Sequence, residues 1–142
     1  MAVPLRGKIV LDTNVFIDYL RVGLHEDWVA RQIDGTVRFL SSVVLMELRL
    51  GADTVRRRRL VDRIRASFPP GRLLAPSADL YDRAGALFSR LHGKGSADRL
   101  GPMNDLLIAL SAWQIGATVI TSNEGDFRKI ARHVPGLRWA SP

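Results

Sequence analysis

Asp12, Glu47, Asp105 and Asp126 each adjoin or interrupt an apolar segment where a carboxylate is out of place. Asp12 ends the run Ile9-Val10-Leu11, and Glu47 breaks Val43-Val44-Leu45-Met46-Glu47-Leu48. Asp105 opens Leu106 to Leu110, and Asp126 follows Ala117 to Ile120 by a few residues. A carboxylate set against a core loses hydration and is costly to keep ionised. Acids at the tips of neighbouring elements also repel one another unless a cation or a proton intervenes. Convergence on a divalent cation answers both costs. With no cysteine and only the scattered His25, His92 and His133, the donors are oxygens, which suit Mg²⁺ or Mn²⁺ rather than Zn²⁺. Such an ion activates a water and neutralises charge on a phosphate as its bond breaks.

Each acid also has an ordinary role open to it. Asp12 could cap the helix that follows, helped by Thr13 or Asn14, although Asn14 could cap without a charge. Glu47 could face solvent, but Val43, Val44 and Leu50 make its own face apolar. Asp105 reads as a first-turn residue favoured by the helix dipole, with Asn104 as a cap. Asn123 followed by Asp126 resembles a capping arrangement.

The elements that must position these residues alternate. Short apolar runs separated by longer helical patterns predict an α/β fold with a mainly parallel sheet. Lys8 to Asp12 reads as a first strand, followed by helices from about Asn14 to Leu20 and His25 to Ile33. Val37 to Leu40 is a second strand, with Ser41 or Ser42 placed to cap a helix over Val43 to Leu50. Asp53 is the expected cap of a basic helix, Thr54 to Phe68, which Pro69-Pro70-Gly71 stops. Arg72 to Ala75 reads as a strand, and Ser77 to His92 as a helix with Leu80, Ala84, Leu87 and Leu91 on one stripe. Gly93 to Gly101 reads as a mobile polar loop. Met103 to Ile115 and Gly125 to His133 are predicted helices, and Ala117 to Thr121 and Leu137 to Trp139 strands. In an open parallel sheet, ligands bind beyond the carboxyl ends of the strands, which is where Asp12 falls.

The 142 residues form a single predicted domain, 1–142, with 46% hydrophobic and 25% charged content, as in soluble globular proteins. The reading shows no secretory signal, membrane span or disulfide framework, and a cytoplasmic setting is expected. A net charge of +7 and a pI near 11.0 point to a polyanionic partner, nucleic acid above all.

Four motifs taken together resemble the PIN-domain nucleases. These are Ile9-Val10-Leu11-Asp12-Thr13-Asn14, Ser42 to Gly51 around Glu47, Met103-Asn104-Asp105-Leu106-Leu107-Ile108-Ala109, and Thr121-Ser122-Asn123-Glu124-Gly125-Asp126-Phe127. The separations of 35, 58 and 21 residues between successive acids are similar to the family's. Each motif alone is weak, and their order is what is specific. Size and motif variants look most like the VapC-type toxins of toxin–antitoxin pairs. The resemblance implies a PIN-like three-layer sandwich and a Mg²⁺- or Mn²⁺-dependent endoribonuclease. It also implies a homodimer silenced by a cognate antitoxin that itself binds operator DNA. On this resemblance Asp12 and Asp105 are principal metal ligands, Glu47 completes the cluster, and Asp126 supports the ion directly or through water. Asn14, Thr121 and Asn123 are supporting residues, with strand-end and helix-cap roles as their alternatives.

Arg56-Arg57-Arg58-Arg59, Arg63 and Arg65 span too wide an arc of one helix to face a single ligand. A solvated face over Leu60, Ile64 and Phe68 is their ordinary reading, with RNA phosphates or an acidic antitoxin segment as the others. Arg99, just before the third acid, is the better candidate for a phosphate contact. The tryptophans and phenylalanines fall in apolar segments and read as core or interface rather than base-stacking platforms. Rival functions are a catalytically inactive RNA- or partner-binding module of the same fold, and a phosphatase or hydrolase forming an aspartyl intermediate at Asp12. The second usually needs an acid two residues on, where this chain has Asn14. Dinucleotide binding lacks its glycine fingerprint after the first strand.

Overall fold

Ile9, Val10 and Leu11 are consecutive strand residues, and all three are at most 1% exposed. Successive side chains of a strand point to opposite faces, so both faces of the sheet are covered at this point. The computed structural model describes residues 6–93 and 99–142. Strand β1 (Gly7–Leu11) leads to helices α1 (Thr13–Val22) and α2 (Glu26–Val29) and strand β2 (Thr36–Ser41). Helices α3 (Ser42–Leu50) and α4 (Val55–Ala66) and a 3-10 turn at Pro70–Arg72 precede strand β3 (Leu73–Leu74). Helices α5 (Ala78–His92) and α6 (Leu100–Gln114), strand β4 (Thr118–Ile120), helix α7 (Glu124–Ala131) and strand β5 (Arg138–Ala140) complete the chain.

The strands run in the order β3-β2-β1-β4-β5, and every pairing among them is parallel. With helices on both faces, this is the three-layer α/β sandwich expected. The strand order grows outward from β1 in both directions, which makes the β1/β4 boundary the topological switch point. There the connections of the two halves leave in opposite directions and open a crevice beyond the strand ends. Asp12 follows β1 and Thr121 follows β4, and the Asp12 amide donates to the Ile120 carbonyl at 2.9 Å. The core is filled by Phe16, Leu40, Val44, Leu106, Ile108, Leu110 and Phe127, each at most 2% exposed.

Several boundaries differ from the sequence reading. Helix α2 is one turn long, ends at Val29 rather than Ile33, and is preceded by His25 in the left-handed region, at φ 63°. Its last carbonyls, of Trp28 and Val29, are taken by the Arg38 guanidinium instead of by further helix. Thr54 rather than Asp53 caps α4, accepting from the Arg57 amide, and Asp53 pairs with the Arg57 side chain at 2.7 Å. Ser41 is the cap of α3, accepting from both Val43 and Val44. The expected loop 93–101 lies partly outside the described residues, since Lys94 to Asp98 are not among them. Leu100 and Gly101 belong to α6, which begins three residues earlier than predicted. Asp105 is therefore in the second turn of its helix, and the first-turn dipole reading does not hold for it.

Candidate active site

Asp12 is 2% exposed, and its carboxylate is held by three donors. Oδ1 accepts from the Thr13 amide at 2.8 Å, and Oδ2 accepts from Thr121 Oγ1 at 2.7 Å and Asn14 Nδ2 at 3.0 Å. Burial pushes its pKa above the usual carboxylate value and Glu47 adds to the rise, while these hydrogen bonds oppose it. Asp12 does meet a backbone amide of α1, as the capping alternative requires. Asn14 does not cap: its amide links Asp12 and Thr121, and its oxygen accepts from the Ser122 amide at 3.1 Å.

Thr121 is fully buried and knots the strand ends together. Its hydroxyl donates to Asp12 and accepts from the Asn123 amide at 2.9 Å. Asn123 occupies the cap position of α7 without capping it. Its side-chain amide reaches Asp126 at 2.9 Å and Asp105 at 3.4 Å. The capping reading of Asn123 and Asp126 thus gives way to a link between two acids.

Glu47 is half-buried on α3 and accepts from Thr13 Oγ1 at 2.7 Å. The face ahead of it opens outward, since Leu50 is 70% exposed. Sequence reasoning gave Thr13 only a helper's role in capping, yet this residue carries one acid on its amide and another on its hydroxyl. The available sign was a hydroxyl residue immediately after a strand-end acid.

Asp105 feels all three other acids. Its pKa is pushed up to about 7, first by burial, then by the charges of Asp12, Glu47 and Asp126. Four carboxylates from β1, α3, α6 and α7 therefore share one electrostatic neighbourhood beyond the carboxyl ends of the strands. Among the described residues, no three acidic or imidazole groups already stand as a closed ligand cluster. The acids are connected through Thr13, Thr121, Asn14 and Asn123. The donor set fits a hard cation: it is all oxygen, one Asp12 oxygen is already oriented by two side chains, and like-charge repulsion at Asp105 is what a cation would relieve.

Arg99 sits at the cap position of α6, exposed and six residues before Asp105, about 9 Å along the helix axis. The arginines of α4 are exposed over a buried Val61 and Ile64, as the solvated-face reading holds. Two of them, Arg56 and Arg57, also line a groove of about 450 Å³ that reaches Glu47. The groove's apolar lining includes Ile17, Leu20 and Leu48, and Arg21 adds a further cation. Trp28, Phe16, Phe88 and Phe127 are core residues, whereas Trp113 and Trp139 are partly exposed beneath Arg83 and Arg128.

The chain is similar to several solved structures. It is 27% identical to a chain of FitAB bound to an IR36 DNA fragment, at a TM-score of 0.65 and covering 94% of each chain. It is 28% identical to a chain of FitAcB from Neisseria gonorrhoeae, at a TM-score of 0.60 and covering 92% of this chain and 95% of that one. The fold matches a chain of VapBC2 from Rickettsia felis bound to a fragment of its promoter, with 24% identity, a TM-score of 0.64 and coverage of 95% and 98%. No curated protein sequence matches significantly. The PIN domain family model matches residues 9–133, a span that runs from the strand before the first acid to beyond the fourth. On that match, this chain is a member of the PIN-domain family.

Proposed function

We propose that this protein is a metal-dependent endoribonuclease that hydrolyses RNA phosphodiester bonds and serves as the toxin of a toxin–antitoxin pair. The observation that carries the chemistry is the hydrogen-bond network through Thr13, Thr121 and Asn123 that links Asp12, Glu47, Asp105 and Asp126. Four acids from distant sequence positions meet at the switch point of a parallel sheet, where such folds bind their ligands.

Asp12 and Asp105 would be the principal ligands of Mg²⁺ or Mn²⁺, with Glu47 and Asp126 completing the set. The ion, when bound, supplies water activation and charge neutralisation at the phosphate. The chain's own residues do the orienting. Thr121 and Asn14 fix Asp12, Thr13 fixes Glu47, and Asn123 ties Asp126 to Asp105. Arg99 is the proposed contact for an RNA phosphate at the start of α6.

FitAB and VapBC structures among the similar folds support a partner antitoxin, with operator DNA reached through that partner. The groove beside Glu47 suits an antitoxin segment that is apolar on one side and acidic on the other, because Arg21, Arg56 and Arg57 border an apolar floor. A homodimer and a cytoplasmic location belong to the same reading. No helix among the described residues is long and apolar enough to cross a membrane.

The test is cleavage of single-stranded and structured RNA with Mg²⁺ or Mn²⁺, with excess chelator and with Asp12→Asn as controls. Metal-dependent cutting lost in the variant is expected. A short neighbouring reading frame whose product binds this protein and suppresses cutting would establish the toxin role. Folded wild-type protein that cuts no RNA with either ion contradicts the proposal.

A further inference from the structure

Where α5, α6 and α7 meet, a small crevice of about 40 Å³ is lined by two of the acids, Asp105 and Asp126, together with His92 and Lys129. Its floor is apolar, from Leu91 and Ile130. Lys129 lies three residues after Asp126 on α7, a spacing that commonly yields an ion pair. Among the described residues it forms none, and its ammonium is exposed. His92 is fixed by its ring contact with Phe88, centroids 4.8 Å apart. Both residues are exposed, so neither is part of the buried core.

An RNA strand brings one negative charge per nucleotide toward a cluster of four carboxylates. A cation among the acids can offset that repulsion only at the phosphate it touches. The next phosphate needs a positive side chain of the protein's own, within one nucleotide's reach of Asp105 and Asp126. Resting on the nuclease reading above, we propose that Lys129, with His92 beside it, binds the RNA phosphate adjacent to the scissile one. At about 40 Å³ the crevice is too small to take a stacked base. The contact therefore adds affinity and register without base preference.

Lys129→Met and His92→Gln should fold as the wild type, by circular dichroism and melting temperature, because both residues are exposed. Lys8→Met is the control, since Lys8 is an exposed cation near the start of β1, away from the strand ends that carry Asp12. Binding of a fluorescein-labelled single-stranded RNA is measured in EDTA between about 50 and 200 mM salt. Lys129→Met should weaken binding several-fold and lower the slope of log K against log salt by about 0.7, the value for one lost phosphate contact on a single strand. With metal added it should raise KM while kcat stays within about twofold, the pattern of lost uniform binding. His92→Gln should give a smaller loss of the same kind, and Lys8→Met none. If the wild type cuts RNA but Lys129→Met keeps the wild-type slope and KM, this inference falls and the nuclease reading stands. If the wild type neither binds nor cuts, the nuclease reading falls and takes the inference with it.

Discussion

The Thr121 hydroxyl donates to Asp12 Oδ2 at 2.7 Å, joining residues 109 apart in sequence. The same oxygen accepts from the Asn123 amide, so one buried atom holds an acid, a strand end and the start of α7 in register.

Replacing Thr121 with valine should expose that dependence. The Asn123 amide loses its acceptor and Asp12 a donor, at a position that is fully buried. A buried hydrogen-bonding group left unsatisfied costs about 1–3 kcal/mol, so the urea midpoint should fall and cleavage should drop with it. Thr121→Ser, which keeps the hydroxyl, should recover most of both. A valine variant as stable and active as the wild type would show the knot to be incidental.

Asp105→Asn should separate stability from function. Removing the charge relieves repulsion from Asp12, Glu47 and Asp126, so the metal-free variant should unfold at higher urea than the wild type. Activity should fall on the order of 10²–10³-fold or more, as when one electrostatic contributor to a transition state is lost. Equilibrium unfolding in EDTA and RNA cleavage in Mg²⁺ read the two effects independently.

The pH dependence of the metal-free protein has a defined sign. Asp105 titrates near 7 in the fold, against an ordinary value of 3.8, so between those values the folded state holds a proton that the unfolded chain has released. Stability is then fully present below about pH 4 and is lost as pH rises toward 7, by at most about 1.4 kcal/mol per unit. Asp12, also raised, acts in the same direction. Urea midpoints in EDTA should decline across this window and flatten above it. Added Mg²⁺ competes with the proton, so its gain in melting temperature should be larger at pH 8 than at pH 5.5. An equal gain at both values would argue against ligation by Asp105.

Thr13→Val tests the residue that the motif reading undervalued. Its backbone amide still meets Asp12, but Glu47 loses the hydroxyl that donates to it. Glu47 is only half-buried, so the stability loss should be under about 1 kcal/mol, while kcat falls by about tenfold. Thr13→Ser should behave as the wild type. Unchanged kcat in the valine variant would mean that Glu47 is oriented without it.

Much was legible in the chain itself. Periodicity separated strands from helices because a strand buried on both faces must be apolar throughout, as Ile9 to Leu11 are, and Ser77 to His92 must show a helical stripe. The acids stood out because a carboxylate beside such runs is costly and needs a reason. Helix ends were less readable where a tertiary contact decides them. Arg38, on β2, takes the last carbonyls of α2, and α6 starts at Leu100 although Gly93 to Gly101 read as a loop.

Residue types and order alone therefore determined the layered α/β class and singled out Asp12, Glu47, Asp105 and Asp126. Only the tertiary structure decided which donors hold which acid, and that Asp105 takes its raised pKa first from burial and then from three charges remote in sequence. Hydrophobic patterning is a local property of the chain, whereas hydrogen bonds and Coulomb interactions act over ångströms of space and have no fixed separation in sequence.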